Sequence, residues 1–253
     1  MGYALTSVLP MWLRRTVGGA AEQSNHWQAF RQAARATAYY QGTNFVERRS
    51  LALAEFYRHH AKFLNPAATA PAPADLAGPW ELAVASKTIA VQPWFRLAAP
   101  VETRMDCEGI ESLTRCDILA APVRTLTELA TAGRLPAAAT PGFGVIAFTG
   151  ISQQSLTAAT RDLLWAAWRA PIFEQFRGFQ GELLAAECEA FEGLHFDPAK
   201  AAWEESAEGT LLITSLVNLR HPAWRLETGR RGRIEAAECR CGSTQPRVVW
   251  AAD

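Results

Sequence analysis

One strand–helix–strand stretch near the middle of the chain constrains the fold more than any other feature. The run FGVIAFTG, residues 143–150, is continuously apolar and ends in glycine, which is typical of a strand buried on both faces. Residues 155–170 predict a helix with Ser155 or Thr157 as its N-cap. The next residues, PIFEQF at 171–176, alternate like a strand. Strand, helix and strand in this order predict a right-handed crossover within a parallel sheet.

The helix of this crossover carries an apolar stripe. Residues spaced by three and four positions favour an amphipathic helix that packs on a sheet. The residues that form the predicted stripe are Leu156, Ala159, Leu163, Ala166 and Ala167.

A proline-rich stretch divides the sequence. PAATAPAPADLAGP, residues 66–79, can form neither a helix nor a central strand, so we predict a linker. Upstream, apolar residues within 24–63 recur at helical spacing, which predicts two helices in a hairpin and an N-terminal helical segment, 1–65. The remaining residues, 80–253, form the predicted α/β domain, with a β-rich subregion of short strands after residue 200.

Composition and charge exclude several classes of function. Twenty-five basic and 25 acidic residues give a formal net charge of zero, so no general attraction to nucleic acid or membrane is expected. No apolar run reaches the ~18–20 residues that span a bilayer, and the first residues lack the pattern of a secretory signal. Five cysteines are too few and odd in number for a disulfide framework. We therefore expect a cytoplasmic protein with no membrane or nucleic-acid partner.

Three cysteines and one histidine form two tight clusters. Cys188 and His195 are separated by six residues, and Cys239 and Cys241 by one. Thiolate and imidazole are ligands that zinc prefers, and four of them close a tetrahedral structural site. The alternative is that the thiols pack as small apolar side chains, although the polar residues and glycine around Cys239 indicate a turn. We predict a structural Zn²⁺ that ties the two clusters together, and leave out the remaining cysteines, Cys107 and Cys116.

Five segments between residues 110 and 250 form an ordered series. They are ILAAPVRTLTELATAGRLP, GVIAFTGISQQSLTAATRDLLWAAW, PIFEQFRGFQGELLAAECEAFEGLH, GTLLITSLVNLRHPAWRLETGRRGRI and ECRCGSTQPRV. Together they resemble the phenylacetate–CoA ligase branch of the adenylate-forming enzymes, which activate a carboxylate with ATP and transfer the acyl group to a thiol. The resemblance implies a partial adenylate-forming large-domain fold, and it implies the same structural zinc.

The segments that bind ATP in that family are altered in this chain. No phosphate loop rich in glycine, serine and threonine precedes the crossover. Arg177 stands at the family's tyrosine, and Gly181 stands where a magnesium-binding carboxylate belongs, with Glu182 one position away. Arg230 replaces the aspartate that accepts from the ribose hydroxyls, and arginine has no acceptor atom. The sequence also ends at Asp253, before the family's mobile domain with its lysine, so ATP, Mg²⁺ and catalytic residues are not carried over.

These changes predict a catalytically degenerate homologue that acts as a zinc-stabilised binding or scaffold protein. Its expected partners are another protein and a small carboxylate or acyl ligand. The candidate ligand-binding residues are Phe148, Gly150, Phe176, Gly178, Phe179, Glu182 and Arg225. The first five have an equally good role in core packing at strand ends.

Two other functions stay open. An active ATP-dependent ligase or transferase, completed by a partner subunit, would use His221 and Arg225 to contact an acyl or phosphate group. A nucleic-acid binder would use the arginines of RLETGRRGR, residues 225–233, as phosphate contacts. Acidic residues alternate with these arginines, which disfavours nucleic-acid binding.

Overall fold

The computed structural model describes residues 20–69, 88–91, 103–105, 118–133, 137, 140–141, 144–151 and 154–251, with only the backbone of 20–22, 88–91 and 103–105. The chain forms two compact units. The described part of the first consists of residues 20–69 and 196–251, and that of the second lies between residues 88 and 195. From residue 70 onward the predicted linker lies outside the described residues, as do Cys107 and Cys116, and the predicted domain boundaries stay predictions.

In the described part of the first unit, one long helix is followed by short turns. The helices are α1 (Ala20–Arg35) and α2 (Leu53–Arg58), with 3-10 turns at Phe45–Glu47 and His60–Phe63. Two helices are therefore present as predicted, but the second is α-helical only over Leu53–Arg58 and continues as a 3-10 turn. Gly42 has a φ of 73°, a left-handed conformation, and lies in the turns between α1 and the 3-10 turn at Phe45–Glu47.

An aromatic core holds this N-terminal segment in the first unit. The ring centroids of Trp27 and Trp224 are 5.3 Å apart, and those of Tyr40 and Phe45 are 4.8 Å apart. The backbone amide of Trp224 donates to the Tyr40 hydroxyl at 2.9 Å. Offset and edge-to-face aromatic pairs add stability beyond their buried area. The predicted apolar positions Trp27 and Phe30 are confirmed as buried.

The described part of the second unit contains seven strands. They are β1 (Thr88–Val91), β2 (Thr103–Met105), β3 (Ile118–Pro122), β4 (Gly144–Gly150), β5 (Ile172–Arg177), β6 (Leu183–Glu187) and β7 (Leu194–His195). Their order is β2-β1-β3-β4-β5-β6-β7. The pairs among β1 to β5 are parallel, and β6 and β7 pair in antiparallel fashion. Helix α3 (Val123–Ala132) follows β3, and α4 (Ala158–Trp168) joins β4 to β5.

The predicted crossover of β4, α4 and β5 is confirmed. Thr157 caps α4, because its side chain accepts from the amide of Thr160 at 3.2 Å. Leu164 and Trp168 on α4 pack into a core with Leu156 and with residues of β3, β4 and β5. Apart from Leu119, the sheet residues of this core are small or β-branched, which lets the helix approach closely.

The predicted apolar stripe of α4 is wrong except at Leu156. Ala159, Leu163, Ala166 and Ala167 face solvent, whereas Leu164 and Trp168 face the sheet. The sequence is apolar on almost every side of this helix, so its periodicity does not decide which side is buried.

The C-terminal part of the first unit is an antiparallel sheet, as the predicted β-rich subregion requires. Its strands are β8 (Ala201–Glu205), β9 (Thr210–Ser215), β10 (Leu226–Glu235) and β11 (Arg247–Trp250), in the order β11-β10-β9-β8. Leu51 forms a parallel bridge with Leu226, so the N-terminal segment adds backbone hydrogen bonds to this sheet. Among the described residues, no helix is long and apolar enough to cross a membrane.

Candidate functional site

The β6–β7 hairpin brings Cys188 and His195 together. Ala186 on β6 pairs with His195 on β7. Because side chains alternate along a strand, Cys188, two residues after Ala186, returns to the face on which His195 lies. The amide of Phe191 donates to the Cys188 carbonyl at 3.1 Å, and Gly193 has a φ of 124°. This tight connection fixes the spacing of the two ligands.

Cys239 and Cys241 lie in a turn that precedes β11. The amide of Gly242 donates to the Cys239 carbonyl at 2.8 Å, and the Cys239 amide donates to the Ser243 carbonyl at 3.0 Å. Gly242 has a φ of 83°, which other residues adopt at a cost. The hydrogen bonds therefore hold the turn in one conformation with both thiols on it.

The four predicted zinc ligands converge in the structure. One ligand atom from each of Cys188, His195, Cys239 and Cys241 lies within 4.8 Å of the others. Cys188 and Cys239 are only 7% and 3% exposed, and the three described cysteines form no disulfide with one another. Three sulfurs at ~2.3 Å and one imidazole nitrogen at ~2.0 Å from a tetrahedral ion fit within such separations. The donor set therefore suits a metal ion such as zinc and uses all four of its coordination positions.

Phe148 and Phe176 are buried on opposite faces of the sheet. Phe148 on β4 pairs with Gln175 on β5, whereas Phe176 pairs with Thr149. Paired residues share a face and successive residues alternate, so the two phenylalanines point into different layers. Neither ring has accessible surface. The structure does not bring these two candidate ligand residues together.

Arg177 lies fully buried at the carboxyl end of β5, opposite Gly150 at the end of β4. Its Nη1 donates to the Gly181 carbonyl at 2.9 Å, and its Nη2 donates to the side-chain oxygen of Gln175. The guanidinium carbon lies 4.8 Å from the centroid of the Phe148 ring. Hydrogen bonds and a cation–π contact thus fix the guanidinium against this face of the sheet.

Glu182 folds back onto the turn that follows β5. Its Oε2 accepts from the amide of Gln180 at 2.9 Å, and its carbonyl accepts from the amide of Gly178 at 2.8 Å. A Cβ atom at Gly178 would lie 2.1 Å from Oε1 of Glu182, so any other residue there displaces this carboxylate. Phe179 is half-buried in the same turn. The structure therefore brings together the candidate ligand residues Gly178, Phe179 and Glu182. The Glu182 carboxylate is hydrogen-bonded to a backbone amide of the same turn.

A buried polar network that was not predicted from the sequence lies on the helix-covered face of the sheet. Thr149 donates to Glu174 at 2.6 Å, and the amide of Glu174 donates to Glu187 at 2.9 Å. Arg161 on α4 pairs with Glu187 at 3.1 Å. Burial raises the pKa of Glu187 to about 7, although Arg161 acts to lower it. The sequence signal that could have indicated this network was Glu174, a carboxylate within the predicted strand PIFEQF.

Arg225 and His221 contact other side chains of the first unit. The Nε and Nη2 of Arg225 donate to the carboxylate of Glu204 at 2.9 and 2.7 Å, and its guanidinium carbon lies 5.3 Å from the Trp224 ring centroid. His221 stacks on His60 with the ring centroids 4.5 Å apart. The ligand roles considered for Arg225 and His221 stay predictions.

No family model matches this chain, and no curated protein matches it. Solved structures do match. A structure of 2-hydroxyisobutyryl-CoA ligase in the postadenylation state, in complex with R3-HIB-AMP, is similar at a TM-score of 0.62 and 13% identity, over 98% of this chain and 70% of that chain. An open conformation of that ligase with 2-HIB-AMP and CoA is similar at a TM-score of 0.58 and 12% identity, over 98% of this chain and 78% of that chain.

At this identity the similarity establishes the fold and not the activity. The predicted fold class is confirmed. The narrower resemblance to the phenylacetate–CoA ligase branch stays a prediction. The chain has the mixed α/β fold of the adenylate-forming acyl-CoA ligases.

Proposed function

We propose that this protein is a metal-stabilised binding or scaffold protein that uses the fold of the acyl-CoA ligases without adenylation. The observation that carries the proposal is the buried guanidinium of Arg177 at the carboxyl end of β5. In open α/β sheets, ligands bind in the crevice outside the carboxyl ends of the strands. A side chain bonded to Gly181 and Gln175 takes up space at that edge.

The carboxylate nearest to the family's magnesium position is also bonded within the chain. Glu182 accepts from the amide of Gln180, and its oxygens pack on Gly178. To bind Mg²⁺ in place of these contacts, the turn after β5 has to rearrange. Adenylation relies on groups that are preorganised for the charge that develops on the phosphates, so such a rearrangement costs catalysis.

Arg230 supports the same conclusion in the first unit. Its guanidinium carbon lies 4.3 Å from the centroid of the Trp250 ring. This side chain stands where the resemblance implies a ribose-binding aspartate, and a guanidinium offers donors only. A nucleotide bound as in the family would therefore lack the acceptor for its two ribose hydroxyls.

The metal is proposed to be a structural Zn²⁺ bound by Cys188, His195, Cys239 and Cys241. It would hold the β6–β7 connection to the turn before β11. The function of the assembled fold is proposed to be recognition of another protein, or of a small carboxylate or acyl compound through the turn that contains Phe179. The phenylacetate–CoA ligase branch is the proposed origin of this arrangement.

A thermal-shift titration with ATP and Mg²⁺, with zinc measured in the same sample, tests this proposal. A ligand at ~100 times its Kd adds ~2.7 kcal/mol of stability, which is readily detected. We expect one zinc per chain and no shift with nucleotide, while a 2-hydroxyisobutyryl-CoA ligase control shifts. A magnesium-dependent shift overturns the proposal and favours the active ligase, for which acyl-AMP formation with a panel of carboxylic acids is the next assay.

A further inference from the structure

The connection between β6 and β7 contains a backbone conformation that is uncommon for its residue type. Phe191, near the middle of this connection, has a φ of 53° and is 47% exposed. A bulky residue adopts this left-handed conformation at a cost, and keeps it only where the surroundings hold it in place. Phe191 lies three residues after Cys188 and four before His195. Whatever holds Phe191 therefore also fixes the path of the chain between these two proposed metal ligands.

Arg161 on α4 contacts this connection at two points. Its Nη2 donates to the two carboxylate oxygens of Glu187 at 3.2 and 3.1 Å. Its guanidinium carbon lies 5.8 Å from the centroid of the Phe191 ring, within the range of a cation–π contact. Glu187 is the residue before the first ligand, and it pairs with Leu194, the residue before the second. One guanidinium thus reaches both the base and the middle of the connection that carries the two ligands.

Both Arg161 and Phe191 are anchored to strand β5. The Nη1 of Arg161 donates to the carbonyl of Ile172 at the start of this strand. The ring of Phe191 stacks on Phe173, with the ring centroids 5.0 Å apart. Strand β5 is buried over its whole length. The arginine and the phenylalanine therefore rest on the core of the second unit.

The contact between Arg161 and Glu187 lies away from the ligand atoms. Consecutive side chains of an extended chain point to opposite faces, so Glu187 points to the opposite face of the sheet from Cys188. In the described part of the chain, Glu187 is not a member of the candidate metal cluster. Any effect of Arg161 on the metal therefore acts through the backbone of the connection.

We propose that Arg161 is a positioning residue for the metal, because its contacts with Glu187 and Phe191 hold Cys188 and His195 in place before the ion binds. This inference rests on the metal that forms part of the proposed function. Ligands that are already in place lose less conformational freedom on binding, so Arg161 raises the metal affinity. Contacts that orient metal ligands typically change the affinity by about 10–100-fold.

The zinc affinity of the full chain, measured by competition with a chromophoric chelator, tests the proposal. Arg161→Met keeps the apolar stem and removes the guanidinium, and we expect it to lower the zinc affinity by about 10–100-fold. Arg124→Met is the matched control, because Arg124 is a helical arginine that also pairs with a glutamate, at an exposed site on α3. The control should leave the zinc affinity unchanged.

Urea unfolding of the same zinc-loaded proteins separates positioning from a general loss of stability. All of these proteins should be folded without urea, so a change in zinc affinity belongs to the folded chain. An arginine that only stabilises the fold would lower the unfolding midpoint and leave the zinc affinity unchanged. That result overturns the proposal.

A second variant tests the contact with Phe191 and does not depend on the folding of Arg161→Met. Phe191→Asn removes the ring at an exposed position, and asparagine tolerates the left-handed backbone there. We expect the zinc affinity to fall several-fold, since Arg161 then loses one of its two contacts with the connection. Arg161→Met should have a smaller effect in this background than in the wild type, as expected for side chains that act on the same connection. Strictly additive effects contradict the proposal.

The outcomes for the wild type separate this inference from the proposed function. A wild type that binds no zinc overturns both of them. A wild type that binds one zinc per chain, with an affinity that Arg161→Met and Phe191→Asn leave unchanged, supports the proposed metal and rejects the role of Arg161.

Discussion

The metal-ligand cluster and the carboxyl end of β5 both gather polar side chains, yet they differ in what those side chains bind. Cys188, His195, Cys239 and Cys241 bring four donor atoms within 4.8 Å of one another. At the strand end, Arg177 instead donates to protein oxygens, and Glu182 accepts from a protein amide. Donors that converge from separate turns indicate a ligand, whereas donors and acceptors that satisfy one another stabilise the fold itself.

The largest expected effect is the loss of the metal. Replacing Cys239 and Cys241 together by serine should abolish zinc binding and lower the free energy of unfolding by more than about 3 kcal/mol, because metal binding is coupled to folding. Zinc analysis and urea unfolding measure both quantities. Replacing Cys107 and Cys116 by serine is the control, and it should leave zinc content unchanged. If the first variant retains zinc, the two regions do not differ as described.

The buried arginine provides the second test. Arg177→Met keeps the length of the side chain but leaves the Gly181 carbonyl and the Gln175 amide without this donor, so we expect a loss of about 2–3 kcal/mol. Zinc content should not change. Arg124→Met, at an exposed site, is the control and should cost less than about 0.5 kcal/mol. Unchanged urea unfolding of Arg177→Met would show that the strand end is not held by this side chain.

The contact between Gly178 and Glu182 gives a smaller effect. Gly178→Ala places a methyl group against the Glu182 carboxylate, which has to move, and we expect a cost of about 1–2 kcal/mol. Adding Glu182→Ala removes the obstructing group, so the double variant should be more stable than the sum of the single effects predicts. A double-mutant cycle by urea unfolding checks this, and strictly additive effects contradict it.

The smallest expected effect on stability concerns His221, which stacks on His60. Unlike His195, it is not part of the candidate metal cluster. Burial, with a contribution from His60, lowers the pKa of His221 from 6.5 to about 4. The unfolded chain thus binds more protons between these two pH values, so stability should rise with pH from about 4 to about 6.5. Because His221 is partly exposed, we expect a change of about 1 kcal/mol.

The variant His221→Gln should remove that part of the pH dependence, measured as the difference in urea unfolding from the wild type at each pH. His59→Gln should follow the wild type. Zinc content should be the same in all three proteins. A His221→Gln protein with an unchanged pH profile contradicts the assignment.

Local sequence patterns predicted the crossover well, because a buried strand and a capped helix are determined by neighbouring residues. FGVIAFTG became β4, and Thr157 became the cap of α4. The buried side of α4 was not predictable from periodicity, because the helix itself carries apolar residues on almost every side. In the N-terminal segment, Phe56 and Phe63 recur at helical spacing, but long-range aromatic packing replaces a continuous helix with short turns.

The convergence of Cys188, His195, Cys239 and Cys241 was predictable from donor chemistry, and the arrangement of side chains at the carboxyl end of β5 was not. Two thiols close together in a turn that contains glycine are typical of a metal site, so the sequence alone indicated Cys239 and Cys241 as candidate ligands. The opposite orientations of Phe148 and Phe176 depend on the register between β4 and β5, which a single sequence does not reveal. The hydrogen bond from the Gln180 amide to the Glu182 carboxylate depends on the conformation of the turn after β5, which a single sequence does not reveal either.

The aromatic core of the first unit has a consequence for synthesis of the chain. Tyr40 receives its hydrogen bond from Trp224, 184 positions later. At ~5–20 residues per second, a ribosome needs roughly ten to forty seconds to make the intervening chain. During that interval Trp27, Phe30 and Phe45 lack the indole of Trp224 against which they pack, so the nascent N-terminal segment cannot complete its aromatic core.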